Sequence, residues 1–282
     1  MENNIEIRKL AKRYKDFALK NVSFDIPKGA VVGFIGENGA GKSTTVNCIL
    51  GSANPDGGSI RIFGKDASRL TAAERSEIGV VLGEECLPKN LNLKQIGNIM
   101  RNLFANWQER AYEKYLKDFS LPLDKKYKDL SKGMKQKAAV AAALSHDARV
   151  LVLDEATVGL DPVARNEILD ILYEFMQNEE HSILISSHIV SDLEKICDYI
   201  CFIHHGEVVF FEEKDALREK FGVLKCGVSD FSNLDKGAVV GYTRSEYGVW
   251  ALVYRDKIPA GYLVERAEIE DIMLYFIRGE RP

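Results

Sequence analysis

The chain opens with alternating apolar positions, first Ile5 and Ile7, then Val22, Phe24 and Ile26. A period of two belongs to strands with one wet and one dry face, so an antiparallel opening is expected. The run AVVGFI (30–35) is apolar almost throughout, as a strand covered on both faces must be. It leads into a glycine-rich turn and the helix-compatible STTVNCILG, which ends at Gly51. The turn cluster NPDGG (54–58) precedes the strand SIRIF, and 78–82 form another apolar run. From Leu93 to Phe119 the spacing changes to threes and fours, with Ile96, Met100, Leu103 and Phe104 on one face. That period predicts a mostly helical insert over about residues 84–129.

From Ser131 onward the pattern reads helix (SKGMKQKAAVAAALSH), strand (RVLVLD), helix (162–177) and strand (SILISS). Strands alternating with helices predict a mostly parallel sheet covered on both faces, hence an α/β core. CFIHHGEVVFF predicts a hairpin turning at His205-Gly206, which makes the two adjacent histidines turn residues rather than metal ligands. After Gly222 the texture becomes short strand-like pieces (238–240, 249–254) and a closing helix, EIEDIMLYFIRG. Two domains are expected: 1–222, and a small α+β domain over 223–282.

Composition narrows the function more than the fold. Thirty-eight basic against 42 acidic residues give a formal net charge of -4, so nothing in the overall charge attracts nucleic acid, and no nucleic-acid partner is expected. Five scattered cysteines form no C-x-x-C pair, which fits reduced thiols rather than a disulfide or zinc framework. No stretch approaches the roughly 18 uninterrupted apolar residues of a spanning helix, and the N-terminus has charges where a signal peptide needs an apolar core.

The chemistry is concentrated in three segments. Gly36-Glu37-Asn38-Gly39-Ala40-Gly41-Lys42-Ser43 fits G-x-x-x-x-G-K-[ST] and stands after a buried strand and at the start of a helix, where a phosphate-binding loop has to be. In such a loop backbone N–H groups and the helix N-terminus face the phosphates, Lys42 reaches the β and γ phosphates, and Ser43 holds Mg²⁺. Residues 150–155 (VLVLDE) form a buried strand whose tip carries two carboxylates. Side chains alternate along a strand, so Asp154 is expected toward the metal and Glu155 toward an attacking water. Leu130-Ser131-Lys132-Gly133-Met134 precedes the alanine-rich helix, with Ser131 as its N-cap.

The order GENGAGKST, LSKGM, LVLDEATVGLD and SSH over residues 36–188 resembles the nucleotide-binding domain of ABC transporters, and the likeness extends over about residues 1–222. The resemblance implies a P-loop NTPase fold: a mostly parallel sheet core, an antiparallel β subdomain and a helical insert. It implies ATP and Mg²⁺ as ligands, a second copy or a homologous ATPase subunit as partner, and integral membrane permease subunits beyond it. The location it implies is cytoplasmic, peripheral on the inner face of the cell membrane. By position, the loop Gly36, Asn38, Gly39, Ala40, Gly41, Lys42, Ser43 and Thr44 would bind the nucleotide. Ser131 and Gly133 would reach the γ phosphate from the opposing subunit. Tyr14 resembles the aromatic that stacks on adenine, Glu155 the catalytic carboxylate, Asp161 the D-loop acid and His188 the switch histidine. Tyr14 also reads as a plain surface aromatic, Asp161 as a helix cap and His188 as a packing residue.

The sequence departs from the family pattern in three places. Gly83, followed by Glu84 and Glu85, stands where a glutamine is usual; Lys132 replaces a glycine; and Ala156-Thr157 replaces Pro-Thr. LSKGMKQK and RAEIEDIMLY resemble the branch serving exporters of peptides, antibiotics or lipids. Two other readings remain open from sequence: a soluble ATPase of the same family, and an ATP-binding regulator without turnover.

Overall fold

The computed structural model describes residues 2–83, 86–246 and 248–281. The chain divides into two compact units, Met1–Phe211 and Glu212–Pro282, so the division falls about ten residues before the expected one.

In chain order the first unit contains β1 (Asn3–Arg13), β2 (Ala18–Pro27), β3 (Val31–Ile35), α1 (Lys42–Ile49), β4 (Gly57–Ile62), β5 (Lys65–Asp66), α2 (Ala72–Arg75) and β6 (Ile78–Leu82). Then follow α3 (Leu93–Leu103), α4 (Glu109–Asp118), α5 (Lys132–Leu144), β7 (Val150–Asp154), α6 (Pro162–Phe175), β8 (Ser182–Ser187), α7 (Val190–Ile196), β9 (Tyr199–His204) and β10 (Glu207–Glu213), whose last two residues belong to the second unit. Two sheets result. One has the order β2-β1-β4-β5, with β1 antiparallel to both β2 and β4. The other has the order β10-β9-β3-β8-β7-β6, and its pairs from β9 to β6 are parallel.

Alternation explains the first sheet. Ile5 pairs with Ile26 and Ile7 with Phe24, and these side chains are buried in one core with Phe34, Val152 and Leu184 of the parallel sheet. In the parallel sheet β3, β7 and β8 are buried almost end to end, as their continuous apolar runs require. Their C-terminal ends (Ile35, Asp154, Ser187) share one edge, because Ile35 pairs with Ser187 and Asp154 with Ser186. Crevices at the carboxyl ends of parallel strands are where α/β proteins place ligands.

The insert is helical as expected, in the form of α3 and α4. Asn92 and Gln95 cap α3 reciprocally, and the buried Tyr112 donates its hydroxyl hydrogen to the Leu93 carbonyl at 3.1 Å, tying α4 to the start of α3. The β9–β10 turn is His205-Gly206, with both residues at positive φ (46° and 78°), the conformation of a two-residue hairpin.

The second unit comprises α8 (Lys214–Lys220), β11 (Phe221–Cys226), α9 (Val228–Ser232), β12 (Val239–Ser245), β13 (Gly248–Tyr254), β14 (Val264–Arg266) and α10 (Ile269–Arg278). Its sheet has the order β12-β13-β11-β14 and all its pairs are antiparallel. Leu224, Val249, Ala251 and Val253 form its core.

Candidate active site

Between β3 and α1 the chain makes the tight loop expected of residues 36–43. A Cβ on Gly36 would lie 2.4 Å from the Ile203 carbonyl oxygen, and one on Gly41 2.6 Å from Leu19, so both positions are closed to any larger residue. Gly39 differs: its φ is 82° and a Cβ there would meet nothing within 4 Å, so this glycine borders open space. The turn is braced from the side, since Gly206 N–H donates to the Ala40 carbonyl at 3.0 Å. Ala40 itself is buried.

A cavity of about 440 Å³ lies against this loop, lined by Asn38, Gly39, Gly41, Lys42, Ser43 and Thr44 together with Glu155, Asp16 and Phe17. That volume is within the range of small-molecule sites. Lys42 is 5% exposed, and its ammonium donates to the Gly36 carbonyl at 2.7 Å and the Glu37 carbonyl at 3.2 Å. It also lies 3.7 Å from Glu155 Oε1.

Glu155 follows β7 at φ 58°, its N–H accepted by the Ser186 carbonyl at 3.1 Å and by Ser186 Oγ at 3.2 Å. Its other carboxylate oxygen stands 2.8 Å from His188 Nδ1. One carboxylate thus joins the lysine of the loop after β3 to the histidine after β8. Asp154 is half-buried and accepts a hydrogen bond from the Ser186 hydroxyl. These groups fit a nucleotide with a divalent cation: the open cradle at Gly39 admits phosphate, and the Ser43 hydroxyl and Asp154 carboxylate are hard oxygen donors of the kind Mg²⁺ takes.

Residues 19–158 match the family model described as ABC transporter. The bacitracin transport ATP-binding protein BcrA of Enterococcus faecalis is 34% identical over 212 residues, 74% of this chain and 69% of that protein. The lantibiotic transport ATP-binding protein SrtF of Streptococcus pyogenes is 35% identical over 75% of this chain and 91% of its own length. The chain belongs to the ABC transporter ATP-binding proteins. A solved ATP-binding subunit of an ABC transporter superposes with a TM-score of 0.68 at 29% identity, covering 76% of this chain and 91% of that one. A dimeric ATP-binding cassette bound to ADP and Pi gives a TM-score of 0.66 over 74% and 98%, and at 23% identity it shows the shared fold alone.

Other positions expected from the family pattern lie outside the cavity. Ser131 caps α5, accepting the Met134 N–H at 3.3 Å, and neither it nor Gly133 borders the phosphate loop's cavity. Asp161 caps α6. It accepts the N–H groups of Ala164 and Val163, each at 3.0 Å, and these bonds hold its carboxyl below the usual carboxylate range. Tyr14 is exposed, with the Lys12 ammonium 5.6 Å from its ring centre, and it is Phe17 and Asp16 of the same turn that reach the cavity. Gly83 follows β6 at φ 62° with its N–H on the Asp154 carbonyl at 3.2 Å, so no side chain stands there; Glu84 and Glu85 lie outside the described residues.

Phe17, Asp16 and Ser186 were not singled out from sequence. For Ser186 the signal was available in the pairing of parallel strands, which puts the serine before Ser187-His188 opposite Asp154.

Proposed function

We propose that this chain hydrolyses ATP to ADP and phosphate and thereby drives export through separate membrane-spanning subunits, acting as a pair of ATPase subunits at the inner face of the membrane. The observation that carries this reading is the Glu155 carboxylate, shared between Lys42 at 3.7 Å and His188 at 2.8 Å beside the phosphate loop. The export direction rests on relatives named for bacitracin transport, lantibiotic transport and Nod factor export. Among the described residues no helix is long and apolar enough to cross a membrane.

In this reading Lys42 trades the Gly36 and Glu37 carbonyls for the β and γ phosphates of ATP. Ser43 and Asp154 would hold Mg²⁺, with Ser186 fixing the Asp154 carboxylate. The cation, when bound, offsets charge on the phosphates. Glu155 orients the attacking water and takes its proton at the carboxylate, while His188 holds Glu155 in place and faces the γ phosphate. Phe17 or Tyr14 packs on the base. Ser131, Gly133 and the N-terminus of α5 complete the site of the other copy, with Asp161 at the junction. Loss of the γ phosphate removes what Ser131 grips and reopens the pair.

Steady-state ATPase rate against protein concentration tests this, for wild type and Glu155→Gln. The rate is expected to rise faster than linearly with concentration, and the variant to lose at least about 100-fold while still binding ATP. No turnover by the wild type, even with candidate membrane subunits added, contradicts the reading and leaves an ATP-binding regulator.

A further inference from the structure

Asp192, in the first turn of α7, is 1% exposed, yet its carboxylate Oδ2 has no hydrogen-bond partner among the described residues. Its other oxygen, Oδ1, lies 3.4 Å from Nη1 of Arg165, which stands in the first turn of α6. The same guanidinium donates from Nη2 to the Leu160 carbonyl at 3.3 Å, and its buried Nε is likewise without a partner. The arginine side chain is 23% exposed, but the carboxylate is not, and an ion pair with one charge fully buried and atoms left over on both sides is a poor way to stabilise a fold, because desolvation offsets much of the attraction. Such a pair calls for another explanation.

The chain segments it joins supply one. Leu160 immediately precedes Asp161, and the stretch from Glu155 is folded back on itself by Val158 N–H to the Glu155 carbonyl (3.3 Å) and Leu160 N–H to the Thr157 carbonyl (3.4 Å). Asp192 is four residues beyond His188, across a turn in which Ile189 N–H binds Ser187 Oγ at 2.9 Å. One planar group therefore spans the two segments that leave the ends of β7 and β8, and those segments carry Glu155 and His188.

We propose that Arg165 and Asp192 are positioning residues that lock the 155–161 segment to the 188–192 segment, so that a shift at Asp161 is transmitted to the Glu155–His188 contact. The proposal rests on the ATPase reading above and adds the route by which one site senses the subunit packed at Asp161. Arginine suits this role because its fork holds two acceptors in one plane, which a lysine ammonium does not.

Arg165→Lys keeps the charge and loses the fork. We expect kcat to fall about tenfold with the dissociation constant for ATP within twofold of wild type, the pattern of a contact needed after binding. The ¹⁵N resonances of the His188 imidazole, assigned by their loss in His188→Gln, are expected to shift. Should the lysine variant fold poorly, Arg165→Gln combined with Asp192→Asn removes both charges together and is expected to keep the thermal midpoint while showing the same loss of kcat and the same His188 shift. Wild-type kcat and an unmoved His188 resonance in a folded variant overturn the proposal and leave the pair a purely structural one. If the wild type itself has no turnover, the ATPase reading fails, and the His188 resonance still decides whether the pair positions that ring.

Discussion

Glu155 occupies a left-handed backbone conformation, φ 58°, which costs a residue with a Cβ about 1–2 kcal/mol. The cost is carried where β7 ends, with the Ser186 carbonyl and hydroxyl holding the Glu155 N–H, and the strained turn is what aims the carboxylate across to Lys42 and His188. At the other side of the cavity two aromatics compete for the same assignment. Tyr14 is the one that motif position favours, but Phe17 is the one whose ring borders the cavity and packs toward Gly41. Stacking on a base is worth about 1–3 kcal/mol. Phe17→Ala is therefore expected to weaken ATP binding about tenfold and Tyr14→Ala to leave it unchanged, as read by titration with a fluorescent ATP analogue. A loss confined to Tyr14→Ala would return the role to Tyr14.

The hairpin between β9 and β10 shows how one element supports another's chemistry. Gly206 sits at φ 78°, where a Cβ would lie 2.0 Å from the Ala18 carbonyl oxygen, while its N–H holds the Ala40 carbonyl of the phosphate loop. Gly206→Ala is expected to cost about 2–4 kcal/mol in urea unfolding and to weaken ATP binding as well. A stability loss with unchanged affinity would show that the loop does not need this brace. The end of α5 offers a different test. His146 is buried, stacked on Phe104, with Nδ1 2.8 Å from the Ser76 carbonyl, so the neutral ring donates there; burial holds its pKa below the ordinary histidine value. As pH falls through about 6.5 the unfolded chain takes up a proton that the folded chain resists, so this residue lowers stability below that pH, fully so once the folded value is passed. Urea midpoints at pH 7.5 and 5.5 are expected to differ more for wild type than for His146→Gln; equal differences would mean that His146 is not the group responsible. Elements of this kind were legible to different degrees. Period two in β1 and β2, apolar runs in β3, β7 and β8, and the Gly-rich turn before α1 each have one physical cause that sequence displays. The α8 and β11 segments do not: α8 is a short charged helix, and β11, the central strand between β13 and β14, reads as the tail of the preceding unit until its partners, as distant as Arg266 is from Gly222, are in place. The two compact units accordingly divide between Phe211 and Glu212, before the change of texture that the sequence displays at Gly222.

At the scale of the molecule the first unit carries a cavity lined by the glycine-rich loop and Glu155, and a second motif, Ser131 and Gly133 at the head of α5, that borders none of it. Within the site, the loop and the acid pair were legible because each is a contiguous segment with a fixed chemical task. The support given by Phe17 and Gly206 was not, because it depends on turns distant in sequence, while that of Ser186 follows only once β7 and β8 are paired. The separation of Ser131 from the loop is the strongest physical reason to expect two chains per site. It can be tested by mixing two inactive variants, Lys42→Ala and Ser131→Arg, and measuring ATPase activity. If each site takes its loop from one copy and its Ser131 from the other, the mixed pair contains one intact site, and the mixture is expected to hydrolyse ATP although neither variant does alone. A mixture no more active than its components would mean that loop and Ser131 act within a single chain, and would contradict the account.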